Sequence, residues 1–247
     1  MKKILAIITL LTTTINAAYI GTSSTFTKLK IQNPEVDKIG RIKNNHNNLY
    51  DSFYIKMFKE SYNDLPIGFE ISIGGSGYES DIMHPEGGVK KVGYVKQIHS
   101  NFNLMLAYSL YNEFSLFKIK TNLLFGYTRT KFKYHLEKYE LLGYKIVNLA
   151  NEKERLNGVI YGFDSMILFD TLYLEFDLYD RKYFKNKYIK SFNKTIKTPL
   201  EYSATIGIYD NELFGYKIGY KIGLKYLKQS TIYSNRHALG FDLAISF

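Results

Sequence analysis

The sequence predicts an all-β chain: one antiparallel, transmembrane up-and-down β-barrel of about ten strands, with eight or twelve as alternatives, behind an N-terminal signal peptide. Three observations carry the prediction. Apolar and polar residues alternate with a period of two through segment after segment, which is the spacing of strand side chains. The composition suits strands and turns, with 23 Tyr and 17 Phe against only 4 Pro and no Trp. The links between alternating segments are themselves alternately short and mostly long, the pattern of a barrel whose two ends differ.

Taken in order, Met1 to Leu11 has a basic tip followed by an apolar run, and Ala17-Ala18 supplies small residues, the layout of a secretory signal peptide. Cleavage is expected after Ala17 or Ala18, so that 1–18 is the leader and 19–247 the barrel domain. The apolar run is too short to cross a bilayer as a helix, which takes about 20 residues. The chain has no Cys, which excludes disulfides, thiolate metal sites and a lipid attachment point after the leader. No cofactor is expected.

Tyr19 to Leu29 is the first strand, with Ile20, Thr22, Ser24 and Phe26 on one face. Ile31 to Asn48, carrying Pro34, Gly40 and an Asn-rich run, reads as a loop. Tyr50 to Glu60 follows with Phe53, Ile55 and Met57 on one face, and then a turn at Tyr62 to Pro66. Ile67, Phe69, Ile71 and Ile73 alternate with Gly68, Glu70 and Ser72, and Tyr78 to Lys91 reads as the second loop. Val92 to Leu110 is a long strand that could instead break at Ser100-Asn101. A turn at Tyr111 to Phe114 leads to Phe117, Ile119, Thr121, Leu123, Phe125 and Tyr127 on one face of the next strand. Tyr134 to Asn157 is charged and reads as a third loop, with a helix or hairpin extension as its own content.

Val159, Tyr161, Phe163 and Ile167 form the sixth strand, which turns at Phe169 to Thr171 into Leu172, Leu174, Phe176 and Leu178. Lys-rich Asp180 to Pro199 reads as a fourth loop. Tyr202, Ala204, Ile206 and Ile208 lead through Tyr209 to Leu213 into the strand Phe214 to Tyr226, and Lys228 to Asn235 is a short fifth loop. The final strand alternates most strictly: Leu239, Phe241, Leu243, Ile245 and Phe247 share one face, and Ala238, Gly240, Asp242, Ala244 and Ser246 the other.

That ending resembles the C-terminal strand of Gram-negative outer-membrane β-barrel proteins, small porin-like or surface barrels included, which finish on alternating apolar residues and a terminal Phe. The resemblance implies that the barrel-assembly machinery reads Phe241, Leu243, Ile245 and Phe247, and that this strand closes against the first. It implies a cell outer-membrane location. Deletion of Phe247 is expected to lower the amount of folded protein in the outer membrane, as measured by fractionation; unchanged amounts count against this role.

A soluble β-sandwich would also alternate, with its apolar face inward. Tyr and Phe recur near the ends of the apolar faces, as in membrane-interface girdles, and Lys217, Lys221 and Lys225 would be awkward in a dry core. The net charge of +10, or +8 without the leader's Lys2 and Lys3, favours anionic lipid head groups, lipopolysaccharide and acidic solutes; nucleic acid is not expected for an exported chain.

The fold does not supply the function, so the lumen and loops must. The charges expected to face the lumen are Lys118, Lys120, Asp164, Glu175, Asp177, Glu201, Lys217, Lys221, Lys225 and Asp242. If they pair across a small barrel they fill it, which gives a structural or surface-interaction, adhesin-like protein. The lysines spaced by four residues could instead line a narrow anion-preferring porin track. An outer-membrane hydrolase is the third reading, but His46, His84, His99, His135 and His237 are scattered, and neither the His-x-Ser pairing of lipid A deacylases nor the acid and Asp-His pairs of omptin proteases has a convincing match. No enzyme is therefore expected. The loops, with Lys182, Lys185, Lys187, Lys190, Lys194 and Lys197 in one of them, are the place for a host-surface or protein ligand.

Overall fold

The structure, a computed structural model, describes residues 17–31, 39–42, 48–58, 67–84, 90–140, 145–184, 188–189, 194–195, 200–210, 218–230 and 234–246. Ten strands form the barrel: β1 Ala17–Ile31, β2 Asn48–Phe58, β3 Ile67–Met83, β4 Lys91–Glu113, β5 Lys118–Glu140, β6 Lys145–Phe169, β7 Leu172–Tyr183, β8 Glu201–Asp210, β9 Gly219–Ser230 and β10 Ser234–Ser246. Each pairs antiparallel with the next, and β10 returns to β1 along Tyr19–Ile31, so the sheet closes and leaves no edge. Arg41–Ile42 adds a short pairing to the top of β3, and Tyr188–Ile189 pairs with Lys194–Thr195. The expected leader, apart from Ala17 and Ala18, lies outside the described residues, as do Lys217 and Phe247.

The alternation has a physical cause that the barrel makes plain. On β10, Leu239, Phe241, Leu243 and Ile245 are exposed on the outer face while Ala238, Asp242 and Ala244 are buried within. The same holds for Leu104 and Leu106 on β4, Leu123 and Phe125 on β5, and Ile222 and Leu224 on β9. Exposed apolar faces on nine of the ten strands, β2 to β10, make an outward belt of the kind hydrocarbon covers, and polar side chains fill much of the inside. The belt ends in aromatics. At the turn end Phe114, Phe117 and Phe169 pack together, with ring centroids 4.8 Å and 5.6 Å apart. At the loop end Tyr127, Tyr161 and Tyr226 place their rings on the belt and their hydroxyls on polar partners: Asn157 Oδ1 at 2.8 Å, Asp180 Oδ2 at 2.7 Å and His237 Nδ1 at 2.9 Å.

Four stretches expected as loops are corrected, the shortest being Lys228 to Asn235, where β9 continues to Ser230 and β10 starts at Ser234. β3 runs on to Met83, through the first six residues of Tyr78 to Lys91. Tyr134 to Asn157 is a strand extension: β5 continues to Glu140, β6 starts at Lys145, and the two pair from Lys118 opposite Leu168 up to Glu140 opposite Lys145. β7 carries Asp180 to Tyr183, so Lys182 is on a strand. The reason is a change of phase. Below Tyr127 the apolar residues of β5 other than Leu124 point out; above it Phe132, Tyr134 and Leu136 point in and are buried, while Arg129, Lys131 and Lys133 point out. The backbone continues in one register, but the strand has left the apolar belt and its outer face meets water. Ile82, Val95 and Leu156 are also buried toward this end, beside Ser80, Gln97, His99 and Thr130, so apolar and polar side chains together fill it. Bulges at Ile82/Met83 and Leu136/Glu137 bend this tall wall. Val92 to Leu110 is one unbroken strand.

Glycine is required where aromatic rings lie flat on the inner wall. Gly207 and Gly223 face each other across β8 and β9, and a Cβ on either would collide with the ring or hydroxyl of Tyr173. Gly223→Val is therefore expected to lower stability by about 1–3 kcal/mol, read from urea unfolding of the refolded barrel. No change would mean that Tyr173 does not pack there.

Candidate functional site

The lumen holds the site. Lys56 of β2 stands at its centre, with Nζ 3.1 Å from Glu175 Oε1, 3.2 Å from Asp164 Oδ2, 3.7 Å from Asp177 Oδ1 and 3.8 Å from Glu70 Oε2. Lys221 of β9 pairs with Glu175 and lies 3.4 Å from Asp242, whose other neighbour is the Tyr54 hydroxyl, a donor at 3.0 Å. Lys225 lies 3.7 Å from Asp177, and Ser203 donates to Asp177 at 2.5 Å. Asn122 donates to Asp164. One connected network thus ties together β2, β3 and β5 through β10. The side chains of Lys56, Lys221, Glu70, Asp164, Glu175, Asp177 and Asp242 are all nearly sealed from solvent. Lys221 also sits 5.1 Å from the Tyr173 ring centroid and 5.7 Å from that of Tyr54.

Toward the loop end a second pair, Arg181 Nη1 to Glu201 Oε2 at 3.0 Å, is backed by Gln229 donating to Glu201 at 2.8 Å. An apolar cluster of Met105, Ala107, Leu124, Ile160 and Tyr179 also lies inside the barrel. Among the described residues, two cavities beside the network measure about 60 Å³ and 20 Å³, room for a few waters.

The structure places the expected lumen charges as follows. Asp164, Glu175, Asp177, Lys221 and Asp242 meet in the network, Lys225 joins at its rim, and Glu201 binds Arg181. Lys120 borders the smaller cavity near the turn end. Lys118 is corrected: it is the first residue of β5, exposed, and its Nζ pairs with Glu113 at 2.9 Å outside the lumen. That hydrogen bond holds the Glu113 carboxyl below its usual range. Lys217 lies outside the described residues. Three members escaped sequence reading. Lys56 and Glu70 occupy the inner phase of strands whose outer residues were assigned, so their parity alone could have placed them. Arg181 follows Tyr173, Glu175, Asp177 and Tyr179 in the same phase, but falls in the stretch expected as a loop.

The sign of the network also bears on permeation. Four cations, Lys56, Arg181, Lys221 and Lys225, face six carboxylates, Glu70, Asp164, Glu175, Asp177, Glu201 and Asp242. Lys221 and Lys225 are thus held by carboxylates of β7 and β10 instead of lining a free anion path. The described histidines stay apart: His84 follows β3, its backbone N–H donating to Lys90 O at 3.1 Å, His99 is buried in the upper lumen, His135 meets Glu137 at 2.6 Å, and His237 meets Tyr226. His46 lies outside the described residues, and among those described no group of three His, Asp or Glu is arranged to hold a metal ion.

A closed ring of ten antiparallel strands, apolar outside, girdled by aromatics and filled within by charge pairs, is the architecture of a small outer-membrane β-barrel. No protein-family model matches this chain, and no curated protein sequence does. Among solved structures it is similar to Ail, the attachment invasion locus protein of Yersinia pestis, in complex with the heparin analogue sucrose octasulfate, at 9% identity and TM-score 0.38, covering 94% of this chain and 98% of that one. It is similar to the translocator domain of the autotransporter NalP from Neisseria meningitidis, at 8% identity and TM-score 0.46, covering 100% and 95%. It is also similar to the transport unit of the autotransporter AIDA-I from Escherichia coli, at 9% identity and TM-score 0.47, covering 97% and 96%. At these values the likeness concerns the barrel fold alone.

Proposed function

We propose that this protein is a closed barrel of the bacterial outer membrane, exported with loss of residues 1–18, whose role is structural and surface-facing rather than permeation or catalysis. The single observation that supports it most is the Lys56 network, which joins eight of the ten strands across the lumen. A pore needs a continuous wet path, whereas the two cavities described beside these ion pairs have room for only a few waters, and buried side chains, Ile82, Val95, Gln97 and His99 among them, occupy the loop end. Short turns at Phe114–Phe117 and Asp170–Thr171 belong on the periplasmic side, so the β5–β6 hairpin stands outside the cell. A rigid wall carried above the bilayer is a place for contact with a host surface or another protein. Assembly through Phe241, Leu243, Ile245 and Phe247 by the barrel-assembly machinery is part of this reading.

The chain has no Cys, so a single one at Asn148, exposed near the hairpin tip, tests the arrangement directly. On intact cells Asn148→Cys is expected to react with a membrane-impermeant maleimide. Replacing residues 137–150 by a short turn should leave a heat-modifiable barrel yet reduce attachment of the cells to epithelial monolayers. An unlabelled Cys in folded protein, or attachment unchanged by the truncation, would contradict the proposal.

A further inference from the structure

The outer face of the tall wall carries an arrangement that the closed lumen does not explain. Directly beyond the Tyr127 and Tyr161 girdle, Arg129, Lys131 and Lys133 of β5, Lys153 and Arg155 of β6 and Lys182 of β7 are all exposed. In the β5–β6 register Lys131 lies opposite Arg155, and Lys133 opposite Lys153. Like charges directly opposite on one face of an antiparallel pair repel, their Cβ atoms being about 5 Å apart. Among the described residues no carboxylate pairs with any of the six. Of the acidic groups near this level, Asp180 accepts hydrogen bonds from the Tyr161 hydroxyl and the Arg181 backbone N–H, and Glu154 lies in the other phase of β6, half-buried and opposite Phe132.

The neighbouring basic side chains have partners. One pair further out, opposite each other in the β4–β5 register, Lys96 is bound to Glu79 and His135 to Glu137. Lys96 and Tyr94 both donate to the Glu79 carboxylate, which lowers its pKa. On the far side of the barrel Lys228 lies over the Tyr202 ring, at 5.3 Å, and His237 meets Tyr226. Among the described residues, unpaired positive charge is thus concentrated on the outer face of β5–β7. A strand advances about 3.3 Å per residue and tilts about 40°, so Arg129 to Lys133 stand roughly 5–15 Å above the girdle, within reach of lipid head groups.

We propose that this patch is a docking surface for the phosphate groups of outer-leaflet lipid, with Lys131, Lys133, Lys153 and Arg155 as its centre. The inference rests on the outer-membrane reading. Bound phosphates sit between the opposed cations and convert a repulsive face into a bridged one, fixing the hairpin wall against the membrane. Juxtaposed basic residues draw on anionic head groups additively, and salt weakens the attraction. A soluble polyanion has the matching charge but no reason to meet a patch set at head-group level on one flank.

The test uses the full barrel, without its leader, in phosphatidylcholine discs with and without purified lipopolysaccharide. Thermal unfolding is followed by gel shift, and retained lipid by native mass spectrometry. Lipopolysaccharide should raise the unfolding midpoint of the wild type, and 1 M salt should diminish the rise. The variant carrying K131Q, K133Q, K153Q and R155Q should retain about tenfold less lipopolysaccharide, or lower, and lose the rise. In phosphatidylcholine alone it should be at least as stable as the wild type, because the like-charge pairs are gone. The single change K153Q should lose part of the rise, which keeps the test valid if the fourfold variant does not fold. An equal rise in wild type and variants overturns the inference, as does a rise produced in phosphatidylcholine discs by soluble dextran sulfate but not by lipopolysaccharide. A chain that does not insert into discs at all fails the outer-membrane reading itself, whereas an inserted barrel indifferent to lipopolysaccharide fails only the lipid assignment.

Discussion

Lys56→Met is expected to destabilise the barrel by about 3–5 kcal/mol, because it removes the one cation that stands among Glu70, Asp164, Glu175 and Asp177. Those carboxylates cannot regain water in a lumen whose cavities hold only a few molecules. Lys221 and Lys225 touch only two of them, Glu175 and Asp177. The loss should shrink when the surplus charge is removed as well: K56M combined with D164N and E70Q is expected to recover a large part of it, since a buried network lost whole costs less than one broken. Urea unfolding of the refolded protein in vesicles reads both effects. A loss below about 0.5 kcal/mol for K56M, typical of an exposed ion pair, would show that the ammonium is not the keystone of the lumen.

The second large effect concerns the opposite face. Phe125 lies mid-belt on β5 and is 61% exposed, so Phe125→Arg is expected to cost about 2–4 kcal/mol in a bilayer. The same change on a soluble barrel would be near neutral, because exposed surface substitutions rarely exceed about 0.5 kcal/mol. Arg at Lys133, on the same strand and face but above the girdle, should be silent. Equal and small effects at both positions would mean that hydrocarbon does not cover the belt.

How much of this was legible in the sequence follows from where the strands meet hydrocarbon. Inside the belt, outward Leu, Ile and Phe contrast with inward Gly, Ser and Asn, and all ten strands could be read from that contrast, the Phe169 to Thr171 corner included; there Asp170 takes a φ of 51° that Asp tolerates. Above the belt the contrast inverts. Phe132, Tyr134 and Leu136 are buried inside and Lys131 and Lys133 are exposed outside, so a reading that follows one apolar face sees the strand stop at Tyr127. The stretch was therefore expected as a loop with a helix or hairpin extension, and the hairpin is the one that forms. Inner phase alone was enough to bring Asp164, Glu175, Asp177, Lys221 and Asp242 to the lumen. Which of them touch depends on the stagger and curvature of the closed sheet, quantities that no local pattern encodes. Lys118 shows the converse limit: its phase is right, but it stands at the rim, where Glu113 takes it.

The central claim is that the lumen is closed by its own charges. Single-channel recording of the refolded protein in a planar bilayer, with a salt gradient to give the reversal potential, tests it most directly. The account predicts a folded, heat-modifiable barrel that stays electrically silent. Steady openings with anion preference that diminish when Lys221 and Lys225 become Gln would contradict it, and would make the lysine row of β9 a conducting path.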